Sequence, residues 1–412
     1  MNFQGRTRIV VLAALSLLYF LLMASTFNSL GQVLPSMVPD LGMDWAEAGF
    51  GFTLLGIACG IASLLPAMTI RRIGVSLTLG IGALLLCAGF VAMAGTHGVF
   101  VYHVGATLLG LGFCFCGTVP SVHVISGMFE RRSTALGIYF TCGSLGAVFG
   151  PVFFYVVSEL AHGWRSYWLI CAAASLAVGG FAMLVTRGGG LVRKEAIDLD
   201  AAPDLTQWSL RHALATPQFW LIVGAYTGCL LVNTTVHSFA FQHLMEHGQT
   251  KGSATALISI AALVGAVAAA AAGVIGEKVD ARRLTMLSLG ALAVTSASLS
   301  VGAGSIALGL FALSLGVGLG FSYVSTAMLM QDYFGRRASL ELYSAMTWIS
   351  TSAAIGPGIG GMVRDRTGSF SSVFMAIAAI DVALLLGVLL MRRPEPRGAA
   401  LGEPAPLERT LV

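Results

Sequence analysis

The chain has 412 residues, 56% of them hydrophobic and only 10% charged, with a mean hydropathy of +0.84. Soluble domains carry roughly 25% charged residues, so this composition excludes an ordinary water-soluble fold. The formal net charge of +4 is no sign of nucleic-acid binding, because the cations follow a membrane rule instead.

Crossing a bilayer as a helix takes about 20 mostly apolar residues. Twelve stretches qualify, centred on 9–36, 45–70, 74–95, 98–127, 133–160, 164–186, 217–243, 252–276, 284–302, 304–331, 339–363 and 370–391. Val10–Leu22 is apolar but for Ser16, and Ala261–Ala272 is continuously apolar, which argues against barrel strands with alternating faces. The first stretch is far longer than a signal-peptide core and runs on into more membrane, so no cleavable leader is expected.

Span 1 carries Asn28 and Gln32, four apart and so on one helix face. Tyr102 and His103 begin span 4, and His123 lies toward its other end. Arg131 and Arg132 precede span 5, which holds Tyr139 and Cys142. A polar linker follows at 187–216, with one short amphipathic piece around Trp208–Leu214. Span 7 carries Asn233 and His237, again four apart, and then His243. Span 10 holds Tyr323, span 11 Trp348, and span 12 Asp381, a carboxylate deep inside a crossing. Intramembrane polar groups are costly and usually face a bundle interior or a water-filled cavity.

Threading twelve spans alternately puts 19 of the 23 Lys and Arg residues on the side of the termini. Only Arg165, Lys251, Arg364 and Arg366 fall on the other. Cytoplasmic loops carry the excess of cations, so both termini are expected in the cytoplasm. All seven cysteines lie within predicted spans, with neither a disulfide framework nor metal-ligand spacing. No phosphate-binding Gly-x-x-x-x-Gly-Lys-Ser/Thr run occurs, so ATP-driven transport is unsupported and no cofactor is implied.

The chain reads as two six-helix halves at an offset of about 206 residues. Gly110-Leu111-Gly112-Phe113 matches Gly318-Leu319-Gly320-Phe321, Phe129-Glu130-Arg131-Arg132 matches Phe334-Gly335-Arg336-Arg337, and Gly150-Pro151 matches Gly356-Pro357. Asn28 and Gln32 correspond to Asn233 and His237. The expected organisation is a first bundle at 1–186, a linker at 187–216, a second bundle at 217–391 and a tail at 392–412. Parallel repeats with a site at their interface are a transporter architecture. Gly143, Gly146 and Gly150 suit close helix contact, and Pro151 and Pro357 are candidate flex points.

Twelve helices in a 6+6 repeat resemble the major facilitator superfamily. Met128-Phe129-Glu130-Arg131-Arg132-Ser133-Thr134-Ala135-Leu136-Gly137, followed by Cys142-Gly143-Ser144-Leu145-Gly146, resembles the helix-five signature of monocarboxylate transporters and oxalate/formate-type antiporters. Thr216-Pro217-Gln218-Phe219-Trp220 and Arg364-Asp365-Arg366-Thr367-Gly368-Ser369-Phe370 are similar to segments of the same group. The chain departs from that pattern in two places. Arg71 stands at the acidic position of the loop after span 2, although Gly276-Glu277-Lys278-Val279-Asp280 keeps the second copy. Span 8 carries no charge over Ser253–Ile275, so the Asp and Arg of animal monocarboxylate transporters have no counterpart there.

The resemblance implies an all-α membrane protein of two six-helix bundles that moves a small organic anion, a monocarboxylate, with a proton by alternating access, and is not an enzyme. It puts helices one, four, seven and ten around the path. The candidate substrate residues are Asn28, Gln32, Tyr139, Cys142, Asn233, His237, Tyr323 and Trp348. His237, His123 and Asp381 are candidate proton sites, with a structural bond to a neighbour the plainer expectation for Asp381. Arg131, Arg132 and Asp280 are candidates for a cytoplasmic gate. The expected partners are substrate, protons and lipid, in a bacterial inner membrane and as a monomer. The alternatives are a carrier or exporter of a neutral or amphipathic metabolite, and a transporter-like sensor without flux.

Overall fold

The computed structural model describes residues 3–129, 132–160, 163–187, 208, 210–276, 279–302, 304–335 and 339–394. Among these residues there is no strand. The first half of the chain folds into α1 (Phe3–Ser25), α2 (Phe27–Leu41), α3 (Trp45–Ile61), α4 (Leu65–Ile73), α5 (Val75–Ala94), α6 (Val99–Cys116), α7 (Thr118–Met128), α8 (Arg132–Leu160) and α9 (Trp164–Val185). The second half comprises α10 (Leu210–Leu214), α11 (Pro217–Glu246), α12 (Lys251–Ile275), α13 (Ala281–Val301), α14 (Ser305–Phe334), α15 (Ser339–Ser350), α16 (Gly356–Thr367) and α17 (Ser371–Leu390).

Ten segments of the described residues are long and apolar enough to cross a membrane, and an eleventh follows if α3 and α4, bent by 50°, are one span. The expected span at 339–363 is α15, a 3₁₀ run at Thr351–Ile355 and α16 in direct succession. Below, cis denotes the face from which α1 starts, and trans the face of the α2–α3, α11–α12 and α16–α17 connections.

The hydrophobic interior is divided. One cluster of buried side chains runs from Val11 to Ala182, and separate clusters occupy the second half. Trp45 packs against both sides of this divide. Within the first half α1 lies on α8, because Gly146 and Gly150 of α8 face the carbonyls of Phe20 and Ala24 with no room for a Cβ. Such contact lets apolar helices gain from close packing where lipid gives no hydrophobic drive.

Corresponding glycines organise the second half, and they correct the repeat register. Gly112 abuts Leu86 and Gly318 abuts Leu292; Gly110 faces the carbonyl of Leu55 and Gly316 that of Ala261. All these pairs are 206 residues apart, so the Gly-Leu-Gly-Phe match at 208 is two residues out of register. Gly150 and Gly356 are true equivalents, set on Ala24 and Leu231. Pro151 leaves α8 unbroken, whereas Pro357 follows a real interruption.

Span 1 breaks at Thr26, whose φ of −98° and ψ of −104° leave the helical region. A break inside lipid exposes carbonyls that water cannot satisfy. The sequence places four small polar side chains there. Ser25 donates to Leu21 O at 2.7 Å, Thr26 to Leu22 O at 2.6 Å, Asn28 to Met23 O at 2.7 Å, and Ser29 to Ala24 O. Asn28 is thus a backbone-satisfying residue, unlike its repeat partner Asn233.

The two halves meet mainly through α2 on α11, α3 on α16 and α8 on α12. Gly31 of α2 sits on the His237 carbonyl, and Gly49 of α3 on that of Pro357. Four hydrogen bonds join described residues of the two halves. Gly358 N–H donates to Thr53 Oγ1 at 3.1 Å, and Trp45 and Ala46 N–H donate to Asp365 at 3.2 and 2.8 Å. The fourth runs from Ser259 of α12 to Val148 O of α8 at 3.0 Å. The first three lie on the trans side, which is closed.

Candidate functional site

Five tyrosines gather where the halves face each other, with Tyr343 one turn and Tyr139 two turns from the cis ends of their helices. Tyr19 of α1 stacks on Tyr139 of α8 at 4.5 Å between centroids and 16° between planes. Gly143, one turn along α8, leaves room for the Tyr19 ring. In the second half Tyr226 of α11 is 6.0 Å from Tyr323 of α14, edge to face, and 6.3 Å from Tyr343 of α15. Tyr323 is also within electrostatic reach of Tyr19, across the divide. Such ring pairs contribute about 0.5–1.5 kcal/mol each beyond burial, enough to hold the rings in fixed orientations.

The polar groups around these rings keep unused hydrogen-bonding capacity. Asn233 donates to the Tyr323 hydroxyl at 3.2 Å. The hydroxyls of Tyr139 and Ser121, both buried, lie beside each other and have no other partner among the described residues. Gln32 of α2 is 2% exposed, with neither amide atom bonded. Leaving such a group unmatched costs roughly 1–3 kcal/mol, and a ligand that matched it would recover part of that. Tyr323 is 38% exposed at mid-helix, although it bonds the half-buried Asn233 and its ring meets Tyr226, which is 6% exposed. Its free surface therefore opens on a space between the halves. No Lys or Arg occurs at 9–70, 133–164, 212–250 or 284–335, so the helices around this space carry no cation between their ends.

On the trans side of the cluster the halves are latched. His237 holds Nδ1 on the Asn233 carbonyl at 2.7 Å, and its own carbonyl meets Gly31. Asp44 and Glu47 form a reciprocal cap at the start of α3. Asp365, from the last turn of α16, takes the neighbouring N–H groups of Trp45 and Ala46. A carboxylate at a helix N-terminus is favoured by both the free N–H groups and the helix dipole. Arg364 pairs with Glu246 of α11 at 2.9 Å, and the Trp45 ring meets Phe239 and Phe370 edge to face.

Of the residues picked out from the sequence, Tyr139, Asn233 and Tyr323 belong to this cluster. His237 lies one turn of α11 beyond Asn233, at the closure. Cys142 is half-buried on the same helix as Tyr139 and makes no described contact with the rings. Trp348 is 68% exposed and contacts none of them, because Tyr343 rather than Trp348 is the α15 side chain turned to Tyr226. His123 is exposed near the end of α7. Asp280 caps its own helix by accepting from Arg282 N–H at 3.1 Å. Arg131 and the side chain of Arg132 lie outside the described residues. The expected bond from Asp381 to a neighbour is absent among the described residues. Sequence reading missed Tyr19, Tyr226 and Tyr343. The available signal was repetition: Tyr226 follows Tyr19 by 207 residues, and Tyr343 follows Tyr139 by 204.

Two helical halves around a polar space, latched at one face, are the architecture of alternating-access solute carriers. The sequence matches the Major Facilitator Superfamily model over residues 15–352, and the chain belongs to that family. It is an integral membrane transporter. No curated protein matches it. Among solved structures, the nucleoside transporter NupG is similar at 17% identity and a TM-score of 0.70, covering 96% of this chain and 100% of that one. A peptide transporter POT gives 13% and 0.74, with 94% and 98% covered. A bacterial homolog of the human lysosomal transporter Spinster, inward-facing and unoccupied, gives 17% and 0.68, with 93% and 95% covered. At these identities the likeness concerns fold alone.

Proposed function

We propose that this transporter carries a small monocarboxylate together with a proton, by alternating access about the tyrosine cluster. The donor set is the observation that carries the reading. Phenols and the Asn233 amide offer hydrogen bonds, and the surrounding helices have no Lys or Arg between their ends. Such donors suit a carboxylate but leave its charge uncompensated at low dielectric. A companion proton removes that cost. His237 has one ring nitrogen on the Asn233 carbonyl and its Nε2 without a partner among the described residues, so it can hold the proton. A dicarboxylate would need a second compensating charge. The signature at Met128–Gly137 supports the carboxylate branch.

With both termini in the cytoplasm, as the cation census implies, trans is outside and this state is closed to the exterior. We assign the protein to a bacterial inner membrane, working as a monomer. A second reading, a neutral or amphipathic metabolite, is favoured by the aromatic walls of the site, which need no proton to accept an uncharged solute.

Proteoliposome uptake of labelled lactate, with and without an inward proton gradient, separates these readings. Saturable, gradient-stimulated uptake that falls in His237→Gln and Asn233→Ala is expected. No uptake by correctly folded protein refutes the carboxylate assignment, and binding without counterflow would mark a sensor.

A further inference from the structure

Asp381 stands at the midpoint of α17, is 0% exposed, and has neither carboxylate oxygen hydrogen-bonded among the described residues. A bare carboxylate in such a place is very costly, whereas the neutral acid is tolerated. The surroundings connect it to the central space. α17 packs closely on α11 because Gly224 and Gly228 receive Leu384 and Asp381, and Gly387 receives Leu221. A Cβ at Gly228 would lie 3.0 Å from Asp381 Oδ1, so the carboxyl rests against the α11 backbone. The next residue, Cys229, is buried and within electrostatic reach of Asp381. Cys229 neighbours Ser322 of α14, and reaches Tyr226 and Tyr323 as well. The buried Cys229 is thus the α11 neighbour common to the orphan carboxyl and the tyrosine cluster.

We propose that Asp381 is a second proton-binding site, distinct from His237, coupled through Cys229 to the tyrosine-lined space. The carboxylate oxygen takes a proton from water in that space and returns it there. Among the described residues no other charge competes for the carboxyl. The elements packed on α17 are α11, α13 and α16. The cations of α13 are Arg282 and Arg283 in its first turn, and Arg282 is engaged by the carbonyls of Val388 and Leu389. The charges of α16 are Arg364, Asp365 and Arg366 in its last turns, at the opposite face. On α11, Tyr226 and Cys229 are the near titratable groups. His243 meets Phe374, two turns along α17, with His247 and Glu246 beyond it.

Infrared difference spectroscopy of the purified protein in lipid, titrated with pH and without any solute, tests the site itself. Wild type should show a carboxylic-acid C=O band that shifts in heavy water, and Asp381→Asn should lack it. Gly228→Ala, which crowds Oδ1, should move that band and so keeps the assignment testable if Asp381→Asn folds poorly. Identical spectra for all three proteins would overturn the proposal. The coupling rests on the proton-linked reading above. Asp381→Asn should reduce gradient-stimulated lactate uptake to the level seen without a gradient, and retention of full stimulation would overturn coupling. Failure of wild type to move lactate would instead sink the substrate assignment and leave the infrared result standing.

Discussion

Replacing Asp365 should open the trans side, and the size of the effect follows from the geometry. Its carboxylate accepts the N–H groups of Trp45 and Ala46 from the opposite half, at 3.2 and 2.8 Å. Hydrogen bonds to a charged group contribute roughly 1.5–3 kcal/mol each, and an anion at a helix N-terminus about 0.3–1 kcal/mol more. Both bonds are solvent-exposed, so screening brings the sum below the low end of these ranges, and we take about 2 kcal/mol for the whole latch. At about 1.4 kcal/mol per tenfold, Asp365→Ala should raise the ratio of trans-open to trans-closed molecules by about 30-fold. Asp365→Asn keeps one acceptor oxygen and should give about fivefold, for about 1 kcal/mol. Arg366→Gln, a change at an exposed neighbour that takes no part in the latch, should give no shift. Spin labels on Leu41→Cys and Thr367→Cys in a cysteine-free background report the distance across this face. Indistinguishable distance distributions for Asp365→Ala and the parent would refute the latch.

Other outcomes follow from the same contacts. Gly31→Leu puts a side chain into the His237 carbonyl and should separate α2 from α11, widening the same label distances. Asn28→Leu leaves the Met23 carbonyl unmatched in the membrane, costing about 1–3 kcal/mol. It should lower the melting temperature in detergent while leaving the lactate KM unchanged, and the reverse pattern would return Asn28 to the substrate site. Tyr323→Phe removes the acceptor for Asn233 and should raise the lactate KM by about 5–10-fold, for about 1–1.4 kcal/mol, with melting temperature held. An unchanged KM would remove Tyr323 from the binding surface.

The membrane architecture was readable because it rests on properties that act one helix at a time. Hydropathy marked Val75–Ala94 or Ser371–Leu390 without knowledge of any neighbour. The repeat was readable too, but its register was not. Gly-Leu-Gly-Phe can be matched at 208 by identity, whereas contact with Leu86 and Leu292 sets the offset at 206. The site was legible only in part. Asn28 and Asn233 look equivalent along the chain, yet the break at Thr26 gives one amide to a carbonyl and leaves the other for Tyr323. Tyr19 and Tyr226 drew no notice because an aromatic ring on an apolar helix resembles ordinary packing. Only the facing Tyr139 and Tyr343 show that it is more. Asp365 read as one member of a charged turn, since its partners are backbone groups 320 and 319 residues away.

The interruptions at Thr26, at Ala62–Leu64 and at Thr351–Ile355 share a location in the working cycle. Each divides a crossing into a length that stays with its own half and a length that grips the opposite one. α1 lies on α8, while α2 beyond the break reaches α11; α15 keeps beside α11, while α16 reaches α3. Three of the six gripping lengths, α2, α3 and α16, therefore hang from joints, whereas α8, α11 and α12 are stiff throughout. Such lengths can swing like shutters while the cis portions stand still. The trans face can then open onto the central space before either half rotates as a whole, so entry and release need not be the two strokes of one rigid lever.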